Sequence, residues 1–119
     1  MQKFQSFEDL LIWQEGIGIC EEVYKQLKNC KDFGYRDQIQ RSAVSVPSNI
    51  AEGYERQTDK EFIQYLYISK GSNAELRTQL YIGKKLGYFN DEDADILIER
   101  TKKNSGMIAN MIKSRKGVK

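Results

Sequence analysis

The sequence predicts an all-α protein, an up-down-up-down antiparallel four-helix bundle, from three observations. Apolar residues recur at steps of three and four in four separate stretches. Capping signals stand in the gaps between them. No stretch combines period-two alternation with β-branched enrichment and turn signals, so no strand is expected. Helices joined by short connections favour antiparallel neighbours. The expected helices cover about residues 7–28, 35–55, 59–86 and 91–115 of one domain spanning 1–119.

In the first helix, Leu10, Trp13, Ile17, Cys20, Tyr24 and Leu27 form one apolar stripe, expected to face the core. Ser6 with Asp9 resembles a capping box that would start it near Phe7. The second repeats the spacing at Tyr35, Ile39, Ala43, Val46, Ile50 and Tyr54, with Pro47 inside it. Proline removes a backbone donor and crowds the carbonyl four residues back, but the periodicity keeps its phase beyond it, which predicts a helix bent through Pro47. The third opens on a full capping box, Thr58 to Glu61, runs Phe62, Leu66, Ser69, Asn73, Leu76, Leu80, Gly83, and stops at Gly87, a natural left-handed cap. The fourth starts at Asn90 or Asp91, where acidic residues meet the positive end of the helix dipole. Its stripe is Ala94, Leu97, Thr101, Ile108 and Met111.

The chain is 39% hydrophobic and 30% charged with thirteen aromatic residues, enough apolar area to offset chain entropy. It contains no histidine. That excludes Ser-His-Asp and Cys-His hydrolases, His-ligated zinc and Glu-x-x-His di-iron bundles. Cys20 and Cys30 have no C-x-x-C spacing and read as free, buried or half-buried thiols of a reducing compartment. Acidic residues fill the N-terminal segment where a signal peptide would need an apolar core, and no apolar run is long enough to cross a membrane, so a cytoplasmic location and no membrane partner are expected.

Charge is uneven. Residues 100–119 hold seven basic side chains and no acidic one, against 12 basic and 17 acidic before them. Arg100, Lys102, Lys103, Lys113, Arg115, Lys116 and Lys119 therefore form a basic end able to bind phosphates, or one that complements the carbonyl end of the last helix. Lys84 and Lys85, beside Tyr88 and Phe89, make a second basic candidate. In an up-down bundle they lie near Lys25 and Lys28, opposite the basic C-terminus.

The most specific segments are DQIQRSAVSVPSNIAEGYER at 37–56 and EFIQYLYISKGSNAELRTQL at 61–80. Gln38, Ile39, Arg41, Ser42, Ala43, Ser45, Val46, Pro47, Asn49, Ile50, Ala51, Glu52 and Gly53 form the first motif. Glu61, Phe62, Leu66, Gly71, Ser72, Glu75, Leu76, Thr78, Gln79 and Leu80 form the second. With Trp13 and the Leu86-Gly87-Tyr88 turn, the chain resembles the bacterial four-helix-bundle proteins first noticed as reading frames in intervening sequences of 23S ribosomal RNA genes. That resemblance implies a ring-shaped homopentamer, with unknown biochemical activity for most members. It also implies kinship with the accessory variability determinant of diversity-generating retroelements, a basic bundle that binds nucleic acid and a reverse transcriptase. This chain departs from that protein in being nearly neutral, at +2.

Arg41, Ser45, Asn49 and Glu52 form a polar stripe beside the apolar one, and Ser72, Glu75 and Thr78 face it from the third helix. The favoured reading joins them in a hydrogen-bonded network between helices or subunits. A ligand or metal site at Arg41, Glu52 and Glu75, or an acid/base pair of the two glutamates, is the weaker alternative, since no histidine supports a metal. Tyr65 is expected to point away from the core and Tyr67 to lie at its border, suiting an interface or base stacking beside Lys70. The expected function is a non-enzymatic oligomer without cofactors, a scaffold or nucleic-acid-associated accessory protein contacting RNA or DNA. The alternative is an adaptor docking a basic protein such as a polymerase.

Overall fold

The computed structural model describes residues 6–117; Lys119 of the basic end lies outside them. A 3₁₀ turn, Phe7–Asp9, precedes four helices: α1 (Leu11–Gln26), α2 (Phe33–Tyr54), α3 (Asp59–Leu86) and α4 (Asp91–Lys116). Cross-helix partners set their directions, because residue numbers rise on one helix as they fall on the next. Tyr35 meets Gln79, Ser45 meets Ser72 and Glu52 meets Tyr65 between α2 and α3. Asp59 meets Arg115 and Lys84 meets Asp95 between α3 and α4, while Ile12 meets Asn104 and Glu15 meets Arg100 between α1 and α4. Among the described residues α1 touches α2 and α4, and α3 touches α2 and α4, which leaves α1 and α3 diagonal. The bundle is up-down-up-down.

The expected start of α1 is corrected. Ser6 makes no side-chain cap, and the extended backbone of Leu10 (φ −80°, ψ 128°) separates the 3₁₀ turn from the helix. Leu10, fully buried, is the reason, since the chain bends to plant it in the core. The other caps follow the sequence signals. Thr58 Oγ1 accepts from Glu61 N at 3.1 Å, and its hydroxyl is also within 3.1 Å of the Glu61 carboxylate. Asn90 Oδ1 accepts from Asp93 N at 2.8 Å. Gly87, at φ 78°, closes α3 in the left-handed conformation that a side chain disfavours.

The expected stripes of α2 and α3 face the core; on α2 the end residues Tyr35 and Tyr54 are half-buried. On α4, Ile98, Asn104 and Ile112 join the expected positions, and Met111 is half-buried. On α1 the phase is corrected. Ile12, Gly16, Ile19 and Val23 face inward, while Ile17 and Tyr24 stay exposed, at 41% and 44%. This helix carries two adjacent apolar rows, and the inner one seats Gly16 against Pro47 of α2, where a Cβ would sit at 3.4 Å, in ordinary van der Waals contact.

Helix α2 runs continuously through buried Pro47. Side-chain donors gather on the carbonyls beside it: Asn49 Nδ2 donates to Ser45 O at 2.8 Å and Ser69 Oγ to Val46 O at 2.8 Å. Ser69 belongs to a buried polar layer that divides the core into two apolar clusters. In that layer Asn73 Nδ2 donates to Thr101 O at 2.8 Å, and Asn104 Nδ2 to Ile12 O at 3.2 Å. Each bond ties one helix to a neighbour's backbone, so sliding by one turn would break it and leave a polar group unpaired at about 1–3 kcal/mol.

Candidate functional site: the polar seam of α2 and α3

Small hydroxyls from both motifs meet where α2 and α3 run side by side. Ser45 and Ser72 share a hydrogen bond of 2.8 Å between their Oγ atoms, and Asn49 Nδ2 donates to Ser45 Oγ at 2.9 Å. Ser42 Oγ donates to Glu75 Oε1 at 3.1 Å. Farther along, Gly53 lets Tyr65 press on the α2 backbone, since a Cβ at Gly53 would collide with the Tyr65 Cβ. Tyr65 is thereby half-buried, correcting the expectation that it points away, and its hydroxyl donates to Glu52 Oε2 at 3.1 Å. Arg56 pairs with the same carboxylate at 3.1 Å, and Glu52 holds the Arg56 guanidinium above its ordinary pKa. Tyr67, expected at the border, is 50% exposed.

The seam brings Ser45, Asn49 and Ser72 together and attaches Glu52 and Glu75 at its rim. Thr78 stays apart, its hydroxyl donating to Ala74 O on its own helix at 2.9 Å. Arg41 is exposed, with no ion-pair partner among the described residues. It stands between two open grooves. One, of about 500 Å³, runs along α2 past Tyr24, Val44, Asn49 and Glu52; the other, of about 400 Å³, lies between Gln38, Ser42, Ser45, Glu75 and Gln79. Glu52 and Glu75 therefore line different grooves. The sequence reading passed over Gln38, Ser42 and Gln79 as site residues. The last was legible, because Ser72, Glu75 and Gln79 recur at steps of three and four on one side of α3.

The basic residues do not converge. Lys84 pairs with Asp95 at 2.7 Å, and Arg115 with Asp59 at 3.2 Å while lying over the Phe62 ring. Lys102 is 3.5 Å from Glu99, and Lys116 donates to the Tyr67 hydroxyl at 3.0 Å. Arg100 forks onto Glu15 at 2.9 and 3.1 Å, and that carboxylate raises its pKa. Lys85, Lys103 and Lys113 are exposed with no ion pair among the described residues. On α4 the basic residues fall into two groups, 100–103 and 113–116, about 15 Å apart at a rise of about 1.5 Å per residue.

Both cysteines are free and half-buried, and burial pushes the Cys20 thiol up. No cluster of three potential metal ligands occurs among the described residues, and none of their helices is long and apolar enough to cross a membrane.

Fold and seam together define an antiparallel four-helix bundle whose α2 and α3 carry a paired polar motif on one surface. The chain belongs to the 23S rRNA-intervening sequence protein family, whose family model matches residues 8–110. Among solved structures it is similar to a protein of unknown function from the S23 ribosomal protein family of Bacteroides thetaiotaomicron. That likeness has a TM-score of 0.81 at 22% identity and covers 87% of this chain and 99% of the other. No curated protein matches the chain.

Proposed function

We propose that this protein is a non-enzymatic, cytoplasmic scaffold that assembles head to tail into a closed ring of identical chains. One observation carries the reading: two different apolar faces stay open on diagonal helices. On α1, Ile17 and Tyr24 are 41% and 44% exposed beside half-buried Trp13 and Cys20. On α3, Ile82 and Leu86, one turn apart, are 44% and 56% exposed. Contiguous exposed apolar surface marks interaction sites. Two unlike faces on different helices favour a heterologous contact, which closes into a ring when the rotation allows. The family resemblance makes five the expected number. Gel filtration with light scattering is expected to give a multiple of the 13.8 kDa chain; a monomer at micromolar concentration would refute the assembly.

Nucleic-acid contact is the accessory role this reading supports, through exposed Lys85, Lys103 and Lys113. Of the basic candidates, Lys84, Arg100, Lys102 and Arg115 are engaged in ion pairs, and a ring would multiply the remaining charges without a new contact. Titration of labelled RNA and DNA at two salt concentrations is expected to show weak, steeply salt-dependent binding. Absence of binding at low salt, with nuclease-resistant protein partners in a pull-down, would favour the adaptor.

A further inference from the structure

Arg41 and Glu75 line the same α2–α3 groove without forming an ion pair with each other. Beneath them lies Gln79, only 9% exposed, whose side-chain carbonyl Oε1 is enclosed with no hydrogen-bond donor. Buried amide oxygens are nearly always paired, and an unpaired one costs about 1–3 kcal/mol; Asn73 Oδ1 and Asn104 Oδ1 also lack a donor, but of the three residues it is Gln79 that lines this groove. The hydroxyls of the wall are already committed. Ser42 donates to Gln38 O and to one Glu75 oxygen, each at 3.1 Å, and Ser45 is bonded to Ser72. What remains unpaired is two acceptors, Gln79 Oε1 and the second Glu75 oxygen, on the α3 wall, and on the α2 wall the one cationic donor, Arg41, beside the neutral side-chain amide of Gln38.

We propose that this groove binds a small zwitterion of the α-amino acid class. The ammonium group donates to Gln79 Oε1 and the Glu75 carboxylate, and the carboxylate accepts from the Arg41 guanidinium. A lone cation would meet Arg41 and a lone anion would meet Glu75, so the pairing of charges within one molecule selects the ligand. The terminal torsion of a glutamine amide is soft, so turning Oε1 toward the groove costs little. Ordinary solvent would leave such a carbonyl exposed or bridged; here it is held under a charged rim. The site is built by one chain and does not rest on ring assembly.

The test is an amide-resolved NMR titration with glycine and L-glutamine, using methylammonium and acetate as single-charge controls, on wild type and on the α1-face variant Tyr24→Glu. The zwitterions are expected to shift residues 38–45 and 75–79 saturably, with the controls about tenfold weaker or more. Arg41→Ala and Glu75→Gln, both at exposed positions, should each weaken binding about tenfold while leaving the fold intact. Gln79→Met separates ligand from packing, because it should raise the melting temperature of the free protein and abolish the titration. Binding by Tyr24→Glu alone would support the site and place it under an assembly contact. No saturable shift in either protein, equal affinity for the single-charge controls, or unchanged binding in Gln79→Met would overturn it.

Discussion

Along the α2–α3 seam the helices are joined by hydroxyls, an amide and a bare glycine, whereas α1 and α4 add to the buried Asn104–Ile12 bond a charged fork, Glu15 on Arg100. Glycine serves both seams differently. Gly53 admits Tyr65 to the backbone of α2, and Gly18 leaves room for the Arg100 guanidinium, whose Nη2 would lie 2.8 Å from a Cβ there. The contact of Ser45 with Ser72 and Asn49 is between neutral groups, which salt does not screen. The fork depends on a flexible side chain about 31% exposed, and screening reaches it. The close-packed seam is thus the natural place for a preformed site, and the charged one for small adjustments between helices.

The largest break in this contrast is Gly53→Ala. The new Cβ must displace Tyr65, so denaturant unfolding is expected to show a loss of about 2 kcal/mol. Gly16→Ala, whose Cβ would meet Pro47 at 3.4 Å, should change stability by less than about 0.5 kcal/mol, the helix-propensity gain offsetting the tighter contact. Equal losses at both positions would mean that the α2–α3 approach is not special.

Double-mutant cycles sharpen the comparison at the next scale. Coupling of Ser45 to Ser72 is expected at about 0.5–1 kcal/mol and unchanged in 1 M salt. Coupling of Glu15 to Arg100 should be about 1 kcal/mol at low salt and fall by half or more in 1 M salt. The reverse pattern would contradict the account.

The smallest effect lies at the start of α2. The Tyr88 hydroxyl donates to Asp32 at 2.6 Å and the Tyr35 N–H at 3.1 Å, and together they hold the Asp32 carboxyl below its ordinary pKa. A depressed carboxylate contributes stability above the ordinary carboxylate range and loses it as pH falls through its native titration. Tyr88→Phe should therefore move the Asp32 titration upward, measured by carboxyl NMR, and start the acid loss of α2 at higher pH. An unmoved titration would show that the Tyr88 bond is not formed in solution.

How much of this was legible in the sequence depended on whether one apolar row or two were present. On α3 the row from Phe62 to Gly83 is the sole continuous one, and it is the buried one. On α1 the Trp13-Ile17-Cys20-Tyr24 row looked more apolar than the true one, because Gly16 carries no side chain to register as hydrophobic. Its burial follows from Pro47 on another helix, a contact that spacing within α1 cannot contain. The capping residues Thr58, Gly87 and Asn90 were legible because each acts within four residues. The seam was half legible: the spacing placed Ser45, Asn49 and Ser72 on facing stripes, but the separation of Glu52 from Glu75 depends on side-chain partners such as Tyr65 and Ser42. The ion pairs of the basic end were not legible, since Asp59 and Glu15, which hold Arg115 and Arg100, come from other helices.

The misread row on α1 became the open face of the assembly reading, and native mass spectrometry of two single-face variants tests that reading most directly. Tyr24→Glu disables the α1 face and Ile82→Glu the α3 face, both at positions 44% exposed. Each variant alone is expected to be monomeric, and their mixture to form a one-to-one dimer through the two intact faces. Homodimers of either variant alone, or a mixture that stays monomeric while wild type assembles, would contradict head-to-tail association through α1 and α3.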